Sequence, residues 1–255
     1  MRLKTVAGPF LAVLLLGGTA VAQEDAARQG YAYVTYFGCD PAGEARADEI
    51  VKRTDAPHYD AAVAAGDIAS WSWLAHFIGG KWRRALVLTT WNMEDLLDAS
   101  GALGEIIEES TPEAGRAFTE VCQHHEDYIW QTVSGIGTNP IGAERAEAGF
   151  SMYFVCDPSR EDRADEIVRE SLAPIYDRHV GDGGLATWMW LRHDVGGEYR
   201  RLLSATAADH KTMMSTRAAI IAELQSGRAE RATRQLNEIC GTHHDYLWDV
   251  QIETP

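Results

Sequence analysis

Two short segments carry the same chemically capable side chains at the same spacing: CQHHEDYIW from Cys122 and CGTHHDYLW from Cys240, both of the form C-x-x-H-x-D-Y-x-W. An imidazole titrates near neutral pH and can bind a metal or move a proton, and a neighbouring carboxylate can orient it. At helical spacing Phe118, Cys122, His125, Ile129 and Val133 form one stripe, and Leu236, Cys240, His243 and Leu247 another, which points His125 and His243 inward beside the cysteines. His124 and His244 have no counterpart in the other segment. A second matched pair, His76 and His193, is expected on the helix-facing side of a strand, where His76 could meet His125. The four histidines His76, His125, His193 and His243 could begin a metal site, or they could be buried imidazoles hydrogen-bonded within the core. With no HExxH and no CxxC in the chain, the second reading is the simpler one, and no metal is expected.

Aromatic residues form the other candidate site. The stretch from Cys39 to Arg84 aligns without a gap with the stretch from Cys156 to Arg201, so the chain reads as a tandem duplication. Strand alternation places Tyr33, Thr35, Phe37 and Cys39 toward helices, with Phe150, Met152, Phe154 and Cys156 as their equivalents, leaving Tyr36 and Tyr153 on the far side. On the next strand Ser72, Leu74, His76 and Ile78, matched by Met189, Leu191, His193 and Val195, are assigned to the helices. Trp71, Trp73, Trp188 and Trp190 then share the face of Tyr36 and Tyr153. These six rings are either the core between two packed sheets or the walls of a site for a small apolar or aromatic ligand. One arginine of each pair, Arg83 and Arg84 or Arg200 and Arg201, would reach that face and bind a carboxylate, or would pair with Asp48 and Glu49, or Asp165 and Glu166. The charges of the repeated RADEIV segment are expected to be solvated.

The elements that must position these residues follow from periodicity and breakers. First strands are expected at Tyr31 to Cys39 and Phe150 to Cys156, each followed by Asp-Pro, with Asp40 or Asp157 as N-cap of a helix. Pro57 and Pro174 should kink or restart that helix. A hairpin follows: Ala69 to Ile78 and Trp82 to Thr89 around Gly79 and Gly80, repeated around Gly196 and Gly197. Two helical segments close each copy, the last ones running from Ala114 to Val133 and from Ala229 to Val250.

Arg2 and Lys4, the apolar run Phe10 to Leu16 and the small residues Ala20, Val21 and Ala22 read as a secretory leader over residues 1–22. The repeats then occupy residues 23–133 and 149–255, joined by an exposed linker over 134–148. A secreted or periplasmic location makes the four equivalent cysteines candidates for one disulfide per repeat, Cys39 with Cys122 and Cys156 with Cys240. No stretch is long and apolar enough to span a membrane. A formal net charge of -15 argues against nucleic acid and anionic membrane surfaces as partners.

Element order β-α-β-β-α-α resembles a ferredoxin-like plait, and two such units in one chain resemble the dimeric α/β-barrel superfamily. This implies an α+β fold with the two copies forming an intramolecular pseudo-dimer of antiparallel sheets. The superfamily includes haem enzymes such as chlorite dismutases and cofactor-free monooxygenases, so the resemblance implies a haem- or metal-dependent oxidoreductase or a cofactor-free monooxygenase, with haem as the alternative cofactor. Because both copies keep the same histidines, the residues alone favour non-catalytic binding of a small molecule between the sheets, with no cofactor.

Overall fold

The computed structural model describes residues 29–138, 141–142 and 146–255, so the expected leader and part of the expected linker lie outside the described residues. In the first half β1 is Tyr31–Cys39, β2 Ser70–Gly79, β3 Arg84–Thr90 and β4 Cys122–Gly137; in the second, β5 is Ala148–Val155, β6 Thr187–Val195, β7 Arg201–Ala207 and β8 Thr242–Thr254. They close into one antiparallel barrel in the order β1-β3-β2-β8-β5-β7-β6-β4. Closure comes from exchange. β4 pairs with β1 of its own half and with β6 of the other, and β8 pairs with β5 and with β2.

The last element of each half corrects the expected β-α-β-β-α-α order to β-α-β-β-α-β. Residues 122–133 and 242–250, expected to be helical, are strands, and β4 runs on through Ser134 into the expected linker. The apolar positions of this segment fit both periods. Tyr128 and Trp130 alternate as strand residues, and both are buried inside the barrel. The disulfides Cys39–Cys122 and Cys156–Cys240 therefore join a first strand to a last strand, closing loops with sequence separations of 83 and 84 residues.

Helices cover the outside of the barrel. In the first half α1 is Glu44–Ile50, α2 Ala56–Ala65, α3 Met93–Ser110 and α4 Pro112–Val121; in the second, α5 is Glu161–Ile167, α6 Ala173–Gly181, α7 His210–Leu224 and α8 Gly227–Ile239. Pro57 and Pro174 lack the N–H that would bond to the residue four before them. The chain accommodates each proline by a π-turn, Val51–Asp55 or Val168–Leu172, in which Ala56 or Ala173 donates its N–H to the carbonyl five residues back. Asn92 and Asp209 cap α3 and α7 by accepting the N–H groups of Asp95 and Thr212. Asp157 caps only a short 3-10 turn, and α5 starts later than expected.

Two tyrosines tie the halves together. Gly79 and Gly196 adopt φ of 140° and 143°, a region that side chains other than glycine rarely enter. A Cβ on Gly80 would stand 2.4 Å from the Tyr246 hydroxyl, and one on Gly197 would stand 2.3 Å from the Tyr128 hydroxyl. Each Gly-Gly turn thus wraps a tyrosine from the opposite half, and Lys81 N–H donates to Tyr246 Oη at 3.0 Å. Residues 23–137 expressed alone would lack β6 and β8 as partners for β4 and β2, leaving two strand edges and the aromatic face bare. Sedimentation should find that fragment self-associated or aggregated; a soluble folded monomer would contradict this dependence.

Candidate functional site

The space expected to hold a ligand is filled. Tyr36 and Tyr153 do face the barrel interior, but they meet Trp82, Tyr128, Trp130, Tyr199, Tyr246 and Trp248 there. Tyr36 stacks on Trp82 at 4.1 Å, Trp82 on Tyr246 at 5.2 Å, and Tyr36 meets Tyr153 edge-on at 5.5 Å. A cavity of about 50 Å³ beside Tyr36, Tyr153 and Trp130 has room for water but not for a ring.

Trp71, Trp73, Trp188 and Trp190 lie on the other face, which corrects the strand assignment. On that face their indole N–H groups meet carboxylates presented by the helices. Trp73 Nε1 donates to Asp48 Oδ1 at 2.8 Å and Trp190 Nε1 to Asp165 Oδ1 at 2.7 Å. Trp71 and Trp188 bond Asp60 and Asp177 in the same way, at 2.8 and 2.7 Å. Ser72, Leu74 and His76 are displaced to the interior side, so His76 cannot meet His125.

Of the RADEIV charges, Arg46, Glu49, Arg163 and Glu166 are solvated as expected, whereas Asp48 and Asp165 are held. Arg84 grips Asp48 with Nε and Nη2 at 2.6 and 2.7 Å, and Arg201 grips Asp165 at 2.8 and 2.9 Å. Glu44 and Glu161 complete the clusters through Arg83 with Arg84, and Arg200 with Arg201. Glu49 and Glu166, expected as arginine partners, bind Arg53 and Arg163 at the surface instead. Neither Arg84 nor Arg201 reaches a ligand space.

The four histidines do not converge. His76 and His193 sit at the barrel rims, each receiving an arginine N–H, from Arg83 or Arg200, on Nδ1 at 2.7 Å. His125 and His243 stand on β4 and β8, about half exposed, with Nε2 3.3 Å from Asp127 and 3.7 Å from Asp245 respectively. Among the described residues no group of three His, Cys, Asp or Glu side chains is placed to hold a metal.

A cavity of about 270 Å³ does open, between the second-half sheet and its helices. Its floor is Phe150, Met152, Phe154, Trp190 and Ala205 from the strands. Val168 and Leu172 of the π-turn, Tyr176 of α6, Met213, Ile220 and Leu224 of α7, and Leu236 of α8 form the walls. Gln225, Thr233 and Asn237 border the cavity at the end of α7 and on α8, and charged groups meet at the strand side. Arg217 of α7 spans the Phe150 ring, with Cζ 5.2 Å from its centroid, and donates from Nη2 to Asp245 Oδ2 at 2.9 Å. His243 lies next to Asp245 on the cavity wall. Burial pushes the Tyr176 hydroxyl up to about 12, against the opposing pull of Arg217.

The first half keeps the framework but not the depth: at the equivalent place an open groove bordered by Ile50, Ile107 and Phe118 touches no strand residue of the sheet except Gln123, at the start of β4. Phe118 stands where the second half has Leu236, and it packs edge-on against Phe37 at 5.2 Å and lies 6.1 Å from Trp73. Leu88 replaces Ala205, and Ser100 replaces Arg217. Sequence reasoning missed Tyr176 and Arg217. The signal that would have found the site is the set of equivalent positions at which the halves differ, because what they share is the structural frame.

A haem does not fit these residues. The cavity is at the small end of ligand sites, its one imidazole, His243, turns Nε2 toward Asp245, and its one cation is already paired.

No family signature matches the sequence, and no curated protein sequence matches it. Solved structures do. A protein assigned as a candidate monooxygenase from Fusobacterium nucleatum superimposes with a TM-score of 0.58 at 8% identity, over 89% of this chain and 94% of that one. An anthrone oxidase-like protein gives 0.58 at 13% identity, over 89% and 92%. A candidate chlorite dismutase gives 0.54 at 10% identity, over 88% and 95%. The fold is shared with these proteins: an antiparallel α/β-barrel of the kind the element order resembles. At these identities the likeness establishes the α/β-barrel architecture alone.

The rim clusters set how this α/β-barrel responds to acid. Burial holds His76 and His193 below the usual imidazole range, and Arg83 and Arg200 add to the effect. For Glu44 and Glu161 burial pulls upward, but hydrogen bonds and charge from the arginines outweigh it and leave both lowered. All four groups bind protons more readily when unfolded, so their stabilisation is complete above the unfolded values and is lost as pH falls. Thermal unfolding midpoints should decline on acidification from about pH 6.5, through the histidines, and more steeply below about pH 4.5, through the glutamates. The double variant His76→Gln, His193→Gln should flatten the upper part of that decline; midpoints that rise between pH 7 and 5 would contradict this assignment.

Proposed function

We propose that this chain is an oxygenase that needs no bound cofactor and that it oxidises a small fused-ring substrate in the second-half cavity. The observation that carries the reading is the asymmetry between the halves: both keep the Trp, Asp and Arg frame, while only the second trades Phe118, Leu88 and Ser100 for Leu236, Ala205 and Arg217, opening about 270 Å³ beside a charged pair. A solely structural role gives no reason to open one copy. The candidate monooxygenase and the anthrone oxidase-like protein that share the fold support the choice of reaction class.

In this reading the halves are a tandem duplication folded as an intramolecular pseudo-dimer, with residues 23–133 and 149–255 as ferredoxin-like repeats, 134–148 as the linker and 1–22 as a leader. The two disulfides support export to a periplasmic or extracellular compartment. The aromatic space between the sheets becomes core, and ligand contact moves to the other face of the same sheet, where Trp190 forms part of the floor.

The chemistry assigned to the residues is modest. His243, on the cavity wall, removes a proton from an activated ring methylene, and Arg217 stabilises the oxyanion that develops on the conjugated oxygen. The electron-rich substrate then reduces dioxygen itself: one oxygen atom becomes the new carbonyl, and the other leaves as water with the two methylene hydrogens. The apolar floor of Phe150, Met152, Phe154 and Trp190 seats the ring.

Leu236→Phe would rebuild the plug of the first half. Oxygen uptake with anthrone as substrate should fall at least about tenfold in that variant, while the unfolding midpoint holds, because the overpacking falls into empty space. Uptake by the wild-type chain that survives this substitution, or its absence with every fused-ring methylene substrate tried, would refute the reading.

A further inference from the structure

We infer that Arg217 is the specificity-determining residue of the cavity and that it selects a ring bearing a single hydroxyl or keto oxygen over both a bare hydrocarbon and a carboxylate. The inference rests on reading the cavity as a substrate site and goes further, to the polar group the substrate must carry.

The floor is apolar; Gln225, Thr233, Asn237 and His243 also border the space, but Arg217 is its one cationic group with an unmatched buried donor among the described residues, the guanidinium making a hydrogen bond from Nη2 to Asp245 Oδ2 at 2.9 Å. Arg217 Nε is buried and has no partner. On the ion-paired side chain, Asp245 Oδ1 is also buried without a hydrogen-bond partner. A buried donor and a buried acceptor, both unmatched and on adjacent groups, are costly unless something completes them. A hydroxyl does so with one oxygen, accepting from the guanidinium and donating to the carboxylate; its keto tautomer answers the guanidinium alone.

A carboxylate is a poorer match. Asp245 already balances the Arg217 charge, so a second carboxylate would bring an unpaired negative charge beside the first, in a chain whose formal net charge is -15. A bare ring leaves both buried atoms unanswered. Phe150, held under the guanidinium at 5.2 Å, keeps Arg217 extended across the floor rather than folded back to solvent.

Binding separates this inference from the reading it rests on. The full chain would be titrated with 1-naphthol, naphthalene and 1-naphthoate, following tryptophan fluorescence, and the series repeated on Arg217→Met. Naphthol should bind the wild-type chain at least about tenfold more tightly than naphthalene, the worth of one charge-assisted hydrogen bond, and more tightly than naphthoate. In Arg217→Met the advantage over naphthalene should vanish while naphthalene itself binds as before. The wild-type series decides the matter even if the variant fails to fold. Equal affinity for naphthol and naphthalene would overturn the role of Arg217 and leave the cavity as an unselective ring site. Tightest binding of naphthoate would overturn the oxygen preference. Failure of all three probes to bind would overturn the substrate-site reading, and this inference with it.

Discussion

A carboxylate that accepts an indole N–H and a two-pronged guanidinium at once is the interaction on which the arrangement of this protein depends. Asp165 does this for Trp190 and Arg201, and Asp48 for Trp73 and Arg84. The arginines are almost wholly buried, Arg201 at 1% exposure and Arg84 at 4%, so neither charge could remain without its partner. Each cluster pins the start of a helix to two adjacent strands, and it commits one face of the central hairpin to the helices.

That commitment determines the other face. With the tryptophans of β2 and β6 held outward, Ser72, Leu74 and Leu191 turn inward. The barrel is closed by strands exchanged between the halves and filled by tyrosines and by Trp82, Trp130 and Trp248. Packing of this kind leaves room for water only, which is why function has to be sought between sheet and helix. There the same clusters serve as a rigid floor, and variation is confined to side chains resting on it. The two halves can therefore share a frame while one is sealed by Phe118 and the other stays open.

Much of this was legible in the residues. The first strands, the Gly-Gly hairpins, the interruptions at Pro57 and Pro174, the cysteine pairs and the inward turn of Tyr36 and Tyr153 all follow from local rules of period and conformation. The last strands were not legible, because HHEDYIW satisfies a helical and an extended period equally, and strand exchange with the other half decides between them. The faces of Trp73 and Trp190 were also hidden. Hydrophobicity alone sends them to the sheet-sheet side, and only the acceptor on a helix 25 residues away in sequence reverses it. Arg217 lay outside the matched segments, so a search for what the copies share passed over it.

The central claim is that, among the described residues, a space reaching down to the sheet between strands and helices lies in the second half, and that Phe118 fills its counterpart in the first. Crystals pressurised with xenon test it most directly, since the gas collects in apolar cavities. The account predicts xenon between Trp190 and α7, with none at the equivalent position beside Phe118 and none among the rings inside the barrel. Xenon within the barrel, or an empty second-half cavity, would contradict it.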